Sequence, residues 1–563
     1  MPSRKATPLI LFAGFAATAQ AQVLTRDGRL IYPPEAQISR ALTPVERQWL
    51  RQHPEYFSSN ADLVTPPPSG PIHCAAEYEP MEGIIITWVG GQTAIQGQMG
   101  RWITTTGSAD LWVVLPSAAT QASATTTLTN AGANMSRVRF VTPPSGINSV
   151  WQRDYGPRYI FEGPCRAIVD HQYNRPRPLD DAFPAYFGTV RAHQFYALGL
   201  NATQLIHGGG NFHLDALNRS YATRLTVNEN PTLTEPQIVN IWGAYQGLRH
   251  TFFNPFPTSV DATQHIDMWM QVVADDKVII SDFVNPTGNA LTADAICDQA
   301  AVTMAASGYT VYRVPAYSLN GVHYTYTNMV MCNGVVMIPT YTNATVSPSN
   351  AAALATISAA VAPKTVQQIN CEGIIGLAGA IHCIVMHVPA HRGAPGPGGG
   401  LAPTAYLKSP TGCQALTPGL STPITWISDD DAAVTSVDLL LSTDGGQTFP
   451  TTIASGLSAL GSYNWTVPAL DTSLARIRVV ARDAQNNTGS DDSDWNFTIG
   501  TVCAANCDGS TTAPVLNVND FICFQQRYAS GDCFANCDGS TTAPVLNVND
   551  FICFQARFAA GCP

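Results

Sequence analysis

Between Cys74 and Pro389 the chain alternates short apolar runs with longer segments of helical period. GIIITWV, DLWVVL, VRFV, RAIVD, KVIISDF, TVYRV and GVVMIP are brief, and most hold β-branched or aromatic residues, as strands do. Between them, LTADAICDQAAVTMAASG is alanine-rich and stops at Gly308, as a helix C-terminus should. SNAAALATISAAVAP opens on capping residues and closes at a proline. Strand, helix, strand, repeated several times, predicts an α/β domain over residues 73–390. HRGAPGPGGGLAPTA then reads as a Pro/Gly linker, placed at 391–413. Ahead of the domain, residues 22–72 form a lead-in. Proline clusters (YPPEAQ, TPPPSG) flank the polar run RQWLRQHPEYFSSN, which is either a short helix or part of a propeptide.

After the linker the texture becomes all-β. ITWIS, VDLLLS, YNWTV, RIRVVARD and DWNFTI alternate and are divided by turn formers such as TDGGQT and DAQNNTG. Their regular spacing predicts an immunoglobulin-like β-sandwich over 414–500. Residues 501–563 are a tandem repeat with a 30-residue period, CAANCDGSTTAPVLNVNDFICFQQRYASGD followed by CFANCDGSTTAPVLNVNDFICFQARFAAGC. Oxygen side chains alternate in each copy (Asn506, Asp508, Ser510; Asn536, Asp538, Ser540). A later acid, Asp520 or Asp550, opens a helical run. Such spacing suits a Ca2+ loop. An insertion around TTAPV departs from the standard loop. The arrangement resembles the duplicated calcium motifs of dockerins. A disulfide-stapled mini-domain without metal is the alternative, and zinc is disfavoured because the tail holds no histidine.

At 563 residues, 45% of them hydrophobic, the chain is long enough for several cores, and only 12% of its residues are charged. A net charge of −11 argues against nucleic acid as a general partner. MPSRK, an apolar PLILFAGFAATA and Ala19-Gln20-Ala21 fit a secretory signal peptide over residues 1–21. No later segment approaches ~20 apolar residues, so no membrane span is expected. The expected location is secreted, extracellular or at the cell surface. Of the 14 cysteines, seven follow residue 500, and export permits disulfides.

Five stretches of the α/β region carry candidate chemistry: WQRDYGP (151–157), HGGGNFHLD (207–215), HIDMW (265–269), YTNMVMCNGVVMIP (326–339) and GAIHCIVMHVP (379–389). HIDMW looks strand-like, with His265 and Asp267 on one face. Taken singly, each has an ordinary structural explanation: a surface pair, an ion pair, a flexible loop, a buried thiol. Together with EYEPMEGIIITW and in this order, they resemble the guanidino-group-modifying superfamily, and within it the agmatine deiminase and bacterial peptidylarginine deiminase branch. The resemblance implies a pentein fold, a five-bladed α/β propeller with a central active site. It implies Cys383 as nucleophile, His265 as general acid and base, and Asp154 and Asp267 as carboxylates that grip the guanidinium. Asn328 would organise the site, and Trp151 is a further substrate-binding candidate. No metal or organic cofactor is required for these steps; Ca2+ is expected only in the tail.

YNRPRP (173–178) resembles the segment with which bacterial peptidylarginine deiminases hold the free carboxylate of a C-terminal arginine. Carried over, Arg175 and Arg177 would take that role, since two guanidinium forks suit one carboxylate. A following immunoglobulin-like module also resembles those enzymes. The expected activity is hydrolysis of peptide C-terminal arginine to citrulline and ammonia. The partners are arginine-containing peptides or proteins and, through the repeats, a surface or scaffold. The alternatives are a deiminase of agmatine or free arginine, a non-catalytic calcium-dependent adhesin or scaffold protein, and an amidinotransferase.

Overall fold

The computed structural model describes residues 22–59, 63–500, 503, 505–510, 512–540 and 544–562. The expected signal peptide lies outside the described residues. Five mixed sheets of three or four strands, with two two-stranded ladders, build the region between Ile72 and Pro389. The same unit recurs in each: a strand, a helix on the sheet's flank, and a parallel return strand. Lys277–Phe283, helix Asn289–Ala306 and Thr310–Leu319 form one such unit, in register from Lys277 opposite Thr310 to Phe283 opposite Ala316. Val335–Thr340, helix Asn350–Val361 and Thr365–Asn370 form the next. Both helices lie where the sequence predicts them. The first ends ahead of Gly308, which takes a left-handed φ of +93°. The second ends two residues short of Pro363.

The ends of this region meet. Met81–Thr87 pairs antiparallel with the last strand, Val385–Pro389, and parallel with Asp110–Val114. Cys383, just before that last strand, is thereby tied to the start of the domain. Large apolar clusters around Ile84, Ile338 and Val385, and around Ile266, Ile280 and Met304, fill the space between sheets and helices.

From Thr404 to Ile499 the chain is all strand and turn, in two sheets around Trp426, Leu439, Ile477 and Val479. The expected linker 391–413 is shorter than its composition implies. Thr404–Ser409 is a strand that pairs with Ser421–Asp429. Its alternate residues Ala405 and Leu407 are buried in the β core, and that burial outweighs the flexibility of the preceding glycines. Asp429 fastens the β region to the α/β region: its buried carboxylate accepts from Arg166 Nε at 2.8 Å and pairs with His193 and His391. The tail forms helices Val518–Ala529 and Val548–Ala560, with Phe524 stacked on Phe554 at 4.2 Å. Disulfides Cys507–Cys523 and Cys537–Cys553 clamp each repeat, Cys503–Cys562 closes the pair, and Cys413–Cys533 ties it to the β region. Among the described residues, no helix is long and apolar enough to cross a membrane.

The lead-in contains helix Pro44–Gln52, capped by a Thr43/Glu46 box. It packs a small cluster of its own from Val23, Ala36 and Ile38.

Candidate functional site

Four irregular segments deliver the predicted side chains to one buried point. Asp154 sits on the one-turn helix Gln152–Tyr155. His265 precedes a 3₁₀ turn, Ile266–Met268, that carries Asp267. Asn328 lies between two strands, and Cys383 sits on the 3₁₀ turn His382–Ile384. HIDMW is therefore not a strand. The Ile266 and Asp267 N–H groups bond to Asn211 Oδ1 and Gly210 O, partners that a sheet ladder would not leave free. His265 and Asp267 nevertheless converge on the same group.

That group is the guanidinium of Arg40, from the lead-in. Its Nε and Nη2 donate to the two oxygens of Asp154 at 2.9 and 2.7 Å. Nη1 and Nη2 donate to the two oxygens of Asp267 at 3.0 Å each. Nη2 lies 2.8 Å from His265 Nδ1, and Nη1 lies 2.7 Å from Cys383 Sγ. Arg40 here stands for any guanidino compound in the cage: planar, cationic, held bidentately by two carboxylates with a thiol beside it. Asn328 Nδ2 bonds Cys383 Sγ at 3.1 Å and the Asp267 carbonyl at 3.2 Å, while its Oδ1 accepts from the His382 N–H. It fixes the thiol relative to the cage.

The glycine-rich loop has a steric role. A Cβ on Gly210 would overlap Arg40 Nη2 and lie 2.8 Å from both Asp154 Oδ1 and Asp267 Oδ2. One on Gly208 would lie 2.8 Å from His265 Cε1, and one on Gly209 would run into the Arg153 carbonyl. HGGGNF is the wall of the cage, and its glycines let backbone approach the guanidinium.

Charge in this dry site is strongly coupled. Burial alone would raise both carboxylates, but the Arg40 guanidinium holds Asp154 and Asp267 well below the usual carboxylate range, with His265 aiding the first and His382 the second. Burial pushes the Cys383 thiol well up. Arg40 pulls it down, and Asp267 and Asp154 push it up again. A cation in the cage therefore favours the thiolate, against burial and the two carboxylates.

Three participants escaped the sequence. His382 Nδ1 holds Asp267 Oδ2 at 2.9 Å, and its Nε2 meets Glu77 at 2.9 Å. Glu77 in turn pairs with Arg153 at 2.7 Å, so Arg153 serves Glu77 and not its neighbour Asp154. His382 and Glu77 stand inside the motifs GAIHCIVMHVP and EYEPMEGIIITW and were visible there. Arg40 lies in no motif and gave no signal.

The residues predicted to hold substrate surround the same segment. Trp151 Nε1 donates to the Ile38 carbonyl at 2.9 Å. Arg175 Nε donates to the carbonyl of Arg40 itself at 3.2 Å. Arg177 is fully buried, with Nε 2.8 Å from Glu46 Oε1 and Nη2 2.7 Å from the Ser39 carbonyl. In the tail, Asp520 Oδ1 accepts from the Asp508 N–H at 3.3 Å, and Asp550 and Asp538 repeat the arrangement at 3.2 Å. Ser510 and Ser540 turn their hydroxyls to the carbonyls of Val515 and Val545. Asn506 Oδ1 and Asn536 Oδ1 are buried atoms without a hydrogen-bond partner among the described residues.

A cage of two carboxylates, imidazole and thiol around a guanidinium is a site built for amidine C–N chemistry. The sequence profile described as Porphyromonas-type peptidyl-arginine deiminase matches residues 73–389. The agmatine deiminase of Enterococcus faecalis is similar in structure, with a TM-score of 0.50 at 16% identity, over 59% of this chain and 100% of that one. The C. jejuni agmatine deiminase gives 0.47 at 15% identity, over 57% and 96%. The chain belongs to the Porphyromonas-type peptidyl-arginine deiminase family, and is a hydrolase acting on the C–N bonds of amidines.

Proposed function

We propose that the chain converts peptidyl arginine, with its carboxyl end free, to citrulline and ammonia. The observation that supports this most directly is the seating of Arg40, an arginine side chain reached from a peptide backbone and surrounded by all four candidate catalytic residues. Asp154 and Asp267 hold the guanidinium. Cys383 Sγ attacks its central carbon as a thiolate, His265 protonates the departing ammonia, and the S-alkylthiouronium forms. His265 then takes a proton from water, which adds to the same carbon; the C–S bond breaks and the ureido group of citrulline remains. Asn328 orients the sulfur. None of these steps calls for a metal or an organic cofactor.

The contact from Arg175 to the Arg40 carbonyl supports the preference for a C-terminal arginine. A caged arginine presents its carbonyl carbon toward Arg175, and in a C-terminal residue that carbon bears a carboxylate. Agmatine, the substrate named for the two similar enzymes, has no carboxyl there. The test is citrulline and ammonia release from a peptide ending in arginine, its amide, a peptide with internal arginine, and agmatine, each with wild type and Cys383→Ala. Release from the free-ended peptide alone, absent in Cys383→Ala, is expected. Release from agmatine alone overturns the substrate, and no release overturns the activity. The tail loops are candidate Ca2+ sites: Asn506, Asp508, Ser510 and Asp520, with their repeats Asn536, Asp538, Ser540 and Asp550, supply oxygens, and the unpartnered Asn oxygens fit a hard cation. Export through residues 1–21 would bring such an enzyme to extracellular peptides.

A further inference from the structure

Side chains assigned to substrate bond to one stretch of the chain's own lead-in, residues 38–46. Trp151 takes the Ile38 carbonyl, Arg177 the Ser39 carbonyl and the Glu46 carboxylate, Arg175 the Arg40 carbonyl, and Asp154 the Arg40 guanidinium. The Arg40 N–H adds a bond to the Leu377 carbonyl at 2.9 Å. Arg40, Cys383, His265 and Asp267 are each 0% exposed. While Arg40 is seated, a second guanidinium has no route to the thiol and no vacant carboxylate to bind.

The segment supplies two charges, one to the cage and one to Arg177. The guanidinium of Arg40 fills the cage. The carboxylate of Glu46 faces Arg177, one of the two arginines that the family resemblance gives to the substrate carboxylate. Glu46 is held in place by its second duty: Oε2 accepts from the Thr43 N–H at 2.7 Å and caps helix Pro44–Gln52. The lead-in also packs Val23, Ala36 and Ile38 as a separate cluster, outside the catalytic cores.

We propose that residues 38–46 are an internal substrate mimic that occludes the catalytic cage, with Arg40 in the place of the reacting guanidinium, its carbonyl on Arg175, and the Glu46 carboxylate on Arg177. Withdrawal of Arg40 alone would leave Asp154 and Asp267 buried beside His265 and His382 without a guanidinium between them, so the exchange is favoured by an entering guanidinium. An arginine peptide therefore binds with an affinity reduced by the fraction of molecules whose cage is open. The imitation of both substrate charges rests on the activity proposed above; the occlusion itself does not.

The test uses residues 22–563 as wild type, Arg40→Gln and Glu46→Gln, with thermal melts to show each is folded. Two rates are read: alkylation of Cys383 by iodoacetamide, located by peptide mapping, and citrulline release from an arginine-ended peptide below saturation. An open fraction of about 1–10% predicts that Arg40→Gln is about 10- to 100-fold faster in citrulline release, where the peptide's guanidinium restores the cation beside the thiol, and faster by less in alkylation, where the exposed thiol has lost that cation. Glu46→Gln, which leaves the cage untouched, moves both the same way by less. Equal alkylation rates in wild type and both variants overturn the proposal. Faster alkylation with no citrulline from any form sustains the occlusion and removes the deiminase reading. If Arg40→Gln does not fold, the Glu46→Gln rates decide the matter, with no change counting against the mimic.

Discussion

Gly210→Ala adds one methyl group to the cage wall. Gly210 does not adopt a left-handed φ, so alanine is admissible to the backbone there and the effect is steric. The new Cβ overlaps Arg40 Nη2 and approaches Asp154 Oδ1 and Asp267 Oδ2 to 2.8 Å. Ordinary carbon contacts need about 3.5 Å, so any guanidinium must back out by more than about 1 Å, away from both carboxylates. A displacement of about 1 Å costs on the order of 100-fold in rate, about 2.7 kcal/mol of barrier. In the Arg40→Gln background, where no internal guanidinium competes for the cage, the expected result is a fall in kcat/KM of about two orders of magnitude on arginine peptides, with a native far-UV spectrum. In Gly210→Ala alone the same methyl excludes Arg40, so Cys383 should alkylate faster than in wild type, while turnover falls in the double variant. Those opposite directions separate a filled cage from a misfolded one. A kcat/KM in Gly210→Ala with Arg40→Gln equal to that of Arg40→Gln alone would refute the placement of the guanidinium against this loop.

Asp429→Ala removes the carboxylate shared by Arg166, His193 and His391 at the junction of the α/β and β regions. Arg166 is left buried with Glu82 as its remaining carboxylate partner. A loss of about 3 kcal/mol or more is expected, read as a lower or divided thermal transition; an unchanged melt would contradict the fastening role. The cage also fixes an acid dependence. Asp154 and Asp267 have folded pKa values held below the usual range, so their contribution is present above the unfolded value of about 4 and is lost as pH falls below it. The melting temperature should therefore drop below about pH 4, less steeply in Arg40→Gln, whose carboxylates lack the opposing cation. Identical acid slopes in the two proteins would count against that coupling.

Local signals determined much of this protein. Helical period and a terminal glycine or proline placed Asn289–Ala306 and Asn350–Val361, because capping and turn chemistry act over a few residues. The residues that converge were also legible, since Asp154, His265, Asp267, Asn328 and Cys383 sit in motifs whose order can be compared with a family. The backbone form of HIDMW was not. It is a 3₁₀ turn because Gly210 and Asn211, more than fifty residues earlier, take its N–H groups. His382 and Glu77 stood in plain sight, but a histidine beside a cysteine does not disclose that it braces Asp267 from behind. The strand within the expected linker exists because the β core buries Ala405 and Leu407. Arg40 marks the limit of what the chain alone could say. It lies 343 residues from Cys383, in a proline-flanked lead-in without a motif. Its role comes from two buried carboxylates that require a cation, and only the folded chain shows which arginine meets them.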